Sequence, residues 1–112
     1  MTKAENRLIQ AAQHAVALGT YGHETQQDAR KRFIGAMKSH RRSRVFTEAR
    51  IMYAEILNGR GFTCDQIAGT LGRSKQAISY YLSLFPVLKA SNAVFRDKAA
   101  RAMQEFNALM SL

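Results

Sequence analysis

Residues 63–82, TCDQIAGTLGRSKQAISYYL, have the pattern of two short helices separated by a tight turn. Thr63 followed by Gln66 has the spacing of a capping box, and Ser74 is a favourable N-cap for a second helix. Gly72 lies between the two helices and permits a turn conformation that is costly for other residues. The segment therefore predicts a helix-turn-helix.

The same segment also predicts which side chains hold the two helices together and which face outward. Ala68 is small enough to let the helices approach closely, and the apolar side chains expected at their contact are Ile67, Leu71, Ile78 and Leu82. The second helix then presents polar side chains at its start, where a helix-turn-helix enters the major groove. There Gln76 can pair with adenine, and Lys75 can reach guanine acceptors or a phosphate. The helix N-termini at Thr63 and Ser74 also offer backbone N–H groups to phosphate.

The rest of the chain has apolar residues at helical spacing and no convincing strand alternation, which predicts an all-α fold of five or six helices. Thr2 and Glu5 have the spacing of a capping box at the first helix start. The predicted breaks are the turn from Gly19 to Thr25, the pair Asn58-Gly59, Gly72, Pro86 and the cap Ser91, with Thr25 or a neighbour as the cap of the second helix. We expect the fifth helix to end at Pro86, because the residue before a proline is biased away from helix.

Basic residues exceed acidic ones and are concentrated in one region. Lys and Arg number 17 against 8 for Asp and Glu, and the 112-residue chain carries a net charge of +9. From Arg30 to Arg50 there are eight Lys and Arg residues and one acid, Glu48. The segment KSHRRSR, Lys38 to Arg44, suits contacts to phosphate or insertion of arginine into a narrow minor groove. The alternative is a solvated connecting loop. The overall charge favours a polyanionic partner.

The sequence indicates neither catalysis nor metal binding. His14, His23 and His40 share no metal-ligand spacing with one another or with Cys64. There is no credible nucleophile and base pair, no carboxylate pair, and no Gly-rich phosphate loop followed by Lys-Ser or Lys-Thr. We expect no enzyme activity, no cofactor, no metal ion and no small-molecule substrate.

The single cysteine and the absence of long apolar runs bear on where the protein works. Cys64 cannot form an internal disulfide, which is typical of a reducing compartment. Polar residues such as Glu5 and Arg7 interrupt the first helix, and no other stretch is apolar for long enough to span a membrane. We expect a cytoplasmic, nucleoid-associated protein with no membrane partner.

Residues Lys38 to Leu82 resemble the C-terminal DNA-binding domain of the bacterial replication initiator DnaA. In that family a basic loop of the type S-x-R-R-S-R, here Ser39 to Arg44, leads into a long helix with an internal Arg, here Arg50, and then into the helix-turn-helix. The resemblance implies minor-groove and backbone contacts by the loop arginines. The family's Asp-His-Thr-Thr signature is replaced by Ser74 to Ala77, which implies that a different DNA sequence is recognised.

The sequence therefore predicts an N-terminal helical extension over residues 1–37 and, over 38–112, a basic loop and helix-turn-helix with a C-terminal closing helix. The expected DNA-binding residues are Arg41, Arg42, Arg44, Arg50, Thr63, Arg73, Ser74, Lys75, Gln76, Ser79 and Tyr80. The predicted function is sequence-specific binding of double-stranded DNA in transcriptional or replication control, in a phage or other mobile element. One alternative is a protein-interaction module, an adaptor or inhibitor that docks a basic helical face on an acidic partner. Another is RNA binding, although the sequence shows no aromatic-bearing sheet or other RNA-binding module. The first and last helices are also candidates for forming a homodimer, although packing within the domain is favoured.

Overall fold

The computed structural model describes all 112 residues as six α-helices with no strand, which confirms the all-α prediction. The helices are α1 (Lys3–Tyr21), α2 (Gln27–Lys38), α3 (Arg44–Gly59), α4 (Cys64–Leu71), α5 (Lys75–Ser91) and α6 (Ala93–Met110). They pack into a body of 36 × 33 × 24 Å. No helix combines the length and apolar character needed to cross a bilayer.

Three predicted helix starts and the central turn are confirmed at the level of individual hydrogen bonds. Complete capping boxes begin α1, through Thr2 and Glu5, and α4, through Thr63 and Gln66. At the start of α5 the Ser74 hydroxyl accepts a hydrogen bond from the backbone N–H of Ala77 at 3.1 Å. Gly72 ends α4 in the left-handed conformation, with φ of +63°, which glycine adopts without steric cost.

The predicted end of α5 at Pro86 is wrong, because the helix continues through the proline to Ser91. A proline inside a helix removes one backbone hydrogen bond and costs about 3 kcal/mol. Packing on both sides of the proline offsets this cost. Phe85 lies in edge-to-face contact with Phe95 of α6 at 5.7 Å between ring centroids, and Leu88 packs against the core. Pro86 itself is exposed.

The predicted cap Ser91 is also wrong, and of Thr25 and its neighbours the residue that begins α2 is Gln26. The last helix is capped by Asn92, whose side-chain oxygen accepts from the N–H of Phe95, and Ser91 belongs to the end of α5. Thr25 uses its hydroxyl in the preceding turn, donating to the carbonyl of Gly22, so that α2 begins after Gln26 without a side-chain cap.

A single hydrophobic core joins residues of all six helices around α3, nine of whose residues are buried. Helix α1 lies antiparallel to α6 and is attached at both ends. At one end Arg7 donates to the carbonyl oxygens of Met110 and Leu112, and at the other Arg101 donates to the carbonyl of Gly19 at 3.1 Å. The N-terminal helix therefore packs against the C-terminal helix and contributes to the common core.

Helices α1 and α6 approach each other closely at Gly19, where a Cβ atom would lie 2.7–2.8 Å from atoms of Ala102, two of them in the backbone. Because the α6 backbone cannot move aside cheaply, we expect Gly19→Ala to lower the free energy of unfolding by about 2 kcal/mol in urea denaturation. The matched control is Gly35→Ala in α2, where nothing lies within 4 Å of the added Cβ. That change should raise the free energy of unfolding by about 0.5–1 kcal/mol. Equal effects of the two substitutions would contradict this packing.

Candidate nucleic-acid interface

Helices α4 and α5 are joined by the short turn Gly72 to Ser74 and pack together through the predicted apolar side chains. Ile67, Leu71 and Ile78 are fully or almost fully buried, and Leu82 is half-buried. A hydrogen bond of 2.7 Å joins the hydroxyls of Tyr53 in α3 and Thr70 in α4. Thr70 donates its own proton to the carbonyl of Ile67, so Tyr53 is the donor. Burial raises the pKa of Tyr53 to about 12, which keeps this donor protonated. The pair fixes α4 against α3.

The first two turns of α5 present one exposed polar face. Lys75 and Ser79 are four residues apart, as are Gln76 and Tyr80, so that the four side chains share a face of the helix. All four are exposed, and the whole of α5 contains no acidic residue. The side chains of Lys75 and Gln76 make no hydrogen bond or ion pair within the chain and are free to contact a ligand.

The segment between α2 and α3, residues 39–43, is called here the basic loop. Arg41 and Arg42 are exposed, as is Arg44 in the first turn of α3. The Arg41 guanidinium lies 6.0 Å from the centroid of the Phe46 ring, within cation–π distance. The Arg42 side chain makes no hydrogen bond or ion pair within the chain. The loop therefore exposes guanidinium groups that are not neutralised by intramolecular partners.

Arg50 holds the basic loop from inside the protein. It is 2% exposed, and its Nε donates to the carbonyl of Met37 at 2.7 Å. Its Nη2 donates to the carbonyls of Ser39 at 3.1 Å and Arg41 at 2.6 Å. Burial, and then the charge of Arg73, lower the pKa of Arg50 from its ordinary value. The expectation from the sequence that Arg50 contacts DNA directly is therefore wrong, because its guanidinium is buried and donates its hydrogen bonds to three backbone carbonyls.

Arg73, in the turn before α5, also donates to the carbonyl of Ser39. Its other terminal nitrogen lies 3.3 Å from the carbonyl oxygen of Leu71. A carbonyl oxygen has two lone pairs, and Ser39 uses them for Arg50 and Arg73. These contacts connect the basic loop directly to the turn that begins α5. The loop is thereby held next to the start of α5.

The acid within the basic region, Glu48, is buried and paired with two cations. Its oxygens lie 3.0 Å from Nε of Arg44 and 2.8 Å from Nζ of Lys98 in α6. Burial alone would raise the pKa of the Glu48 carboxyl, but the hydrogen bonds and charges of Lys98 and Arg44 outweigh burial and lower it. Arg44 is thus exposed but partly neutralised, in contrast to Arg42.

Thr63 and Ser74 use their side-chain oxygens as N-caps, each accepting a backbone N–H from the residue three positions ahead. Thr63 also has its own N–H bonded to the Gln66 side chain at 2.9 Å. Asp65 in the first turn of α4 is acidic, whereas the first turn of α5 has no acid. The start of α5 is therefore the more favourable of the two for an anion.

Two features of this surface were missed from the sequence: the contacts of Arg50 and Arg73 with the basic loop, and the pairing of Glu48 with Lys98. A signal for the first was present. Phe46, Arg50, Tyr53 and Leu57 follow one another at intervals of four, three and four residues, which places Arg50 on the buried face of α3. Lys98 is 50 positions from Glu48, and no local pattern relates them.

No three side chains of His, Cys, Asp or Glu are grouped so that they could hold a metal ion. Cys64 is half-buried at the first position of α4.

Comparisons of the chain with protein-family models, with curated proteins and with solved structures give no match.

Proposed function

We propose that the protein binds double-stranded DNA sequence-specifically, with α4 and α5 acting as a helix-turn-helix of the kind found in the initiator family that Lys38 to Leu82 resemble. One observation carries the proposal. Because Arg73 bonds to Ser39, the basic loop with its unpaired cation Arg42 is attached to the turn that begins α5, the helix that carries the unpaired side chains of Lys75 and Gln76. That arrangement combines backbone contacts with base recognition, the two components of specific DNA binding.

The basic loop supplies affinity that is independent of sequence. Exposed guanidinium groups neutralise phosphates and release counterions, so binding weakens steeply as salt concentration rises. Arg41 and Arg42 are placed for this role, and Arg44 contributes less because Glu48 shares its charge. Arg50 and Arg73 act as positioning residues through the carbonyl of Ser39.

The exposed face of α5 supplies sequence choice. A helix that enters the major groove with its N-terminal turns first brings Lys75 and Gln76 to the base edges, with Ser79 and Tyr80 one turn further on. Glutamine pairs with adenine through two hydrogen bonds, and lysine reaches the acceptors of guanine. Ser74 keeps its N-cap role, and the free N–H groups beyond it face a phosphate.

The experiment that tests the proposal is selection of bound duplexes from a random DNA pool at about 150 mM salt, where sequence-blind binding is already weakened. We expect an enriched motif. A palindromic motif would indicate that two copies bind together, and an asymmetric one that a single copy binds. The cellular role, transcriptional or replication control of a phage or other mobile element, would follow from where that motif occurs.

We expect Gln76→Ala to weaken binding to the selected duplex by about 1–3 kcal/mol and to change binding to random duplex little, because it removes only base contacts.

Arg42→Ala should weaken binding to both duplexes and reduce the slope of log affinity against log salt by about 0.9, the value for one phosphate. Fluorescence anisotropy over a series of salt concentrations measures both effects.

Ser83→Ala is a matched control on the same helix, since Ser83 is exposed further along α5 and bonds to the carbonyl of Tyr80. It should bind both duplexes like wild type. Equal losses for Gln76→Ala on both duplexes would contradict the assignment of α5 as the recognition helix. Absence of any enriched motif, with binding lost at modest salt, would favour the alternative of a basic face that docks on an acidic protein.

A further inference from the structure

A cavity of about 330 Å³ lies beside the basic loop, among the end of α1, helix α2 and the start of α3. Its lining residues are Tyr21, Ala29, Arg32, Phe33, Ala36, Arg41 and Phe46. The lining contains two guanidinium groups and no acid, so its potential favours an anion. The apolar share of the lining favours a ligand that also has an uncharged part.

The uncharged side of the cavity is an aromatic wall. The ring centroids of Tyr21 and Phe33 are 5.3 Å apart in an edge-to-face arrangement, and those of Phe33 and Phe46 are also 5.3 Å apart. Phe33 is buried, whereas Tyr21 is 60% exposed and presents its ring to solvent. A ligand in the cavity can therefore contact Tyr21 and Phe46 while its charge faces the arginines.

The charged side of the cavity is partly preorganised, because Arg41 is held by the same contacts that shape the basic loop. Its carbonyl accepts from Arg50 at 2.6 Å, and its N–H donates to the hydroxyl of Ser39 at 3.3 Å. Its guanidinium lies over the Phe46 ring. A group fixed before binding loses less conformational freedom when a ligand arrives.

We propose that this cavity takes one backbone phosphate and the adjoining sugar of a DNA duplex, so that the DNA-binding surface extends past the basic loop onto α2. The proposal rests on the proposed function. The phosphate lies between Arg32 and Arg41, and the sugar contacts Tyr21 and Phe46. Continuity argues for DNA rather than another anion: Arg41 adjoins Arg42 in the basic loop, and that loop is bonded to the start of α5 through Arg73.

The test compares Arg32→Ala with Lys31→Ala on the selected duplex. Both changes remove one exposed positive charge from α2, but Lys31 does not line the cavity. We expect Arg32→Ala to weaken binding about fivefold and to reduce the log–log salt slope by about 0.9, the loss of one phosphate contact. Lys31→Ala should leave that slope unchanged. Both proteins should unfold at the wild-type temperature.

A second arm locates the contact on the DNA. The selected duplex is shortened one base pair at a time from either end. At one length wild type and Arg32→Ala should bind with equal affinity, because the contacted phosphate is then missing. A third arm titrates inorganic phosphate and a free mononucleotide without DNA and expects no binding at submillimolar concentration.

The outcomes separate this inference from the proposed function. If Arg32→Ala binds like wild type while Arg42→Ala is weakened, the surface ends at the basic loop, and the inference is overturned while DNA binding stands. If wild type enriches no duplex, both are overturned. Tight binding of the mononucleotide that Arg32→Ala abolishes would show a nucleotide site and overturn the assignment to a DNA backbone.

Discussion

Arg50→Met is expected to lower the free energy of unfolding by about 3–5 kcal/mol and to abolish tight DNA binding. The substitution removes hydrogen bonds from a charged donor to three backbone carbonyls. The loss is smaller than the sum of three such bonds, about 1.5–3 kcal/mol each, because the cost of burying the charge is removed as well. It leaves the carbonyl of Met37 in the interior without that partner. It also frees the basic loop, since the carbonyls of Ser39 and Arg41 lose the contact that orders them. Urea denaturation measures the first effect and fluorescence anisotropy the second.

Arg50→Lys separates loss of stability from loss of loop position. Lysine keeps the charge but is a point donor and cannot reach three carbonyls as the planar guanidinium does. We expect Arg50→Lys to lower the free energy of unfolding by about half as much as Arg50→Met, so that the protein is still folded at low temperature. At that temperature its DNA affinity should fall about tenfold or more, and the amide resonances of Ser39 to Arg42 should sharpen as the loop becomes mobile. Wild-type affinity in a folded Arg50→Lys protein would contradict the positioning role.

The sequence predicted the parts of this fold that depend on local chemistry. Capping boxes at Thr2 and Thr63, the cap at Ser74 and the left-handed turn at Gly72 involve residues within four positions of one another, and all are present. The expectation that α5 ends at Pro86 was wrong because it considered only the residues next to the proline. Contacts of Phe85 and Leu88 with distant parts of the chain outweigh the lost backbone hydrogen bond.

The candidate interface was predictable as a set of residues but not as an arrangement. The exposed side chains of α5 follow from helical periodicity, and the basic loop follows from charge density. The link between them does not, because Arg73 and Ser39 are 34 positions apart and meet only when α2, α3 and α4 have packed. Arg50 was expected to contact DNA because it matches the internal Arg of the family that the segment resembles, whereas its place in the apolar repeat of α3 indicates burial.

Glu48→Gln is expected to lower the free energy of unfolding by about 3 kcal/mol at neutral pH, the effect of removing one partner from a buried ion pair. The side chains of Glu48 and Lys98 are 9% and 14% exposed, so that the Lys98 ammonium would remain buried without its counter-charge. The substitution also weakens the attachment of α6 to the start of α3. Glu24→Gln is the control, because Glu24 is exposed and belongs to none of the chain's ion pairs. It should change stability by less than about 0.5 kcal/mol.

At acid pH the free energies of unfolding of wild type and Glu48→Gln should become equal. The pKa of Glu48 is lowered in the folded protein below its ordinary value of 4.5, so the unfolded chain binds the proton more readily. Stability from this group is therefore fully present above pH 4.5 and is lost as the pH falls through the folded-state pKa. Urea denaturation from pH 7 to pH 3 gives the free energy of unfolding of each protein as a function of pH, and the two curves should converge towards acid pH. Parallel curves would mean that the carboxylate charge contributes nothing and that the substituted amide destabilises the protein only through its packing.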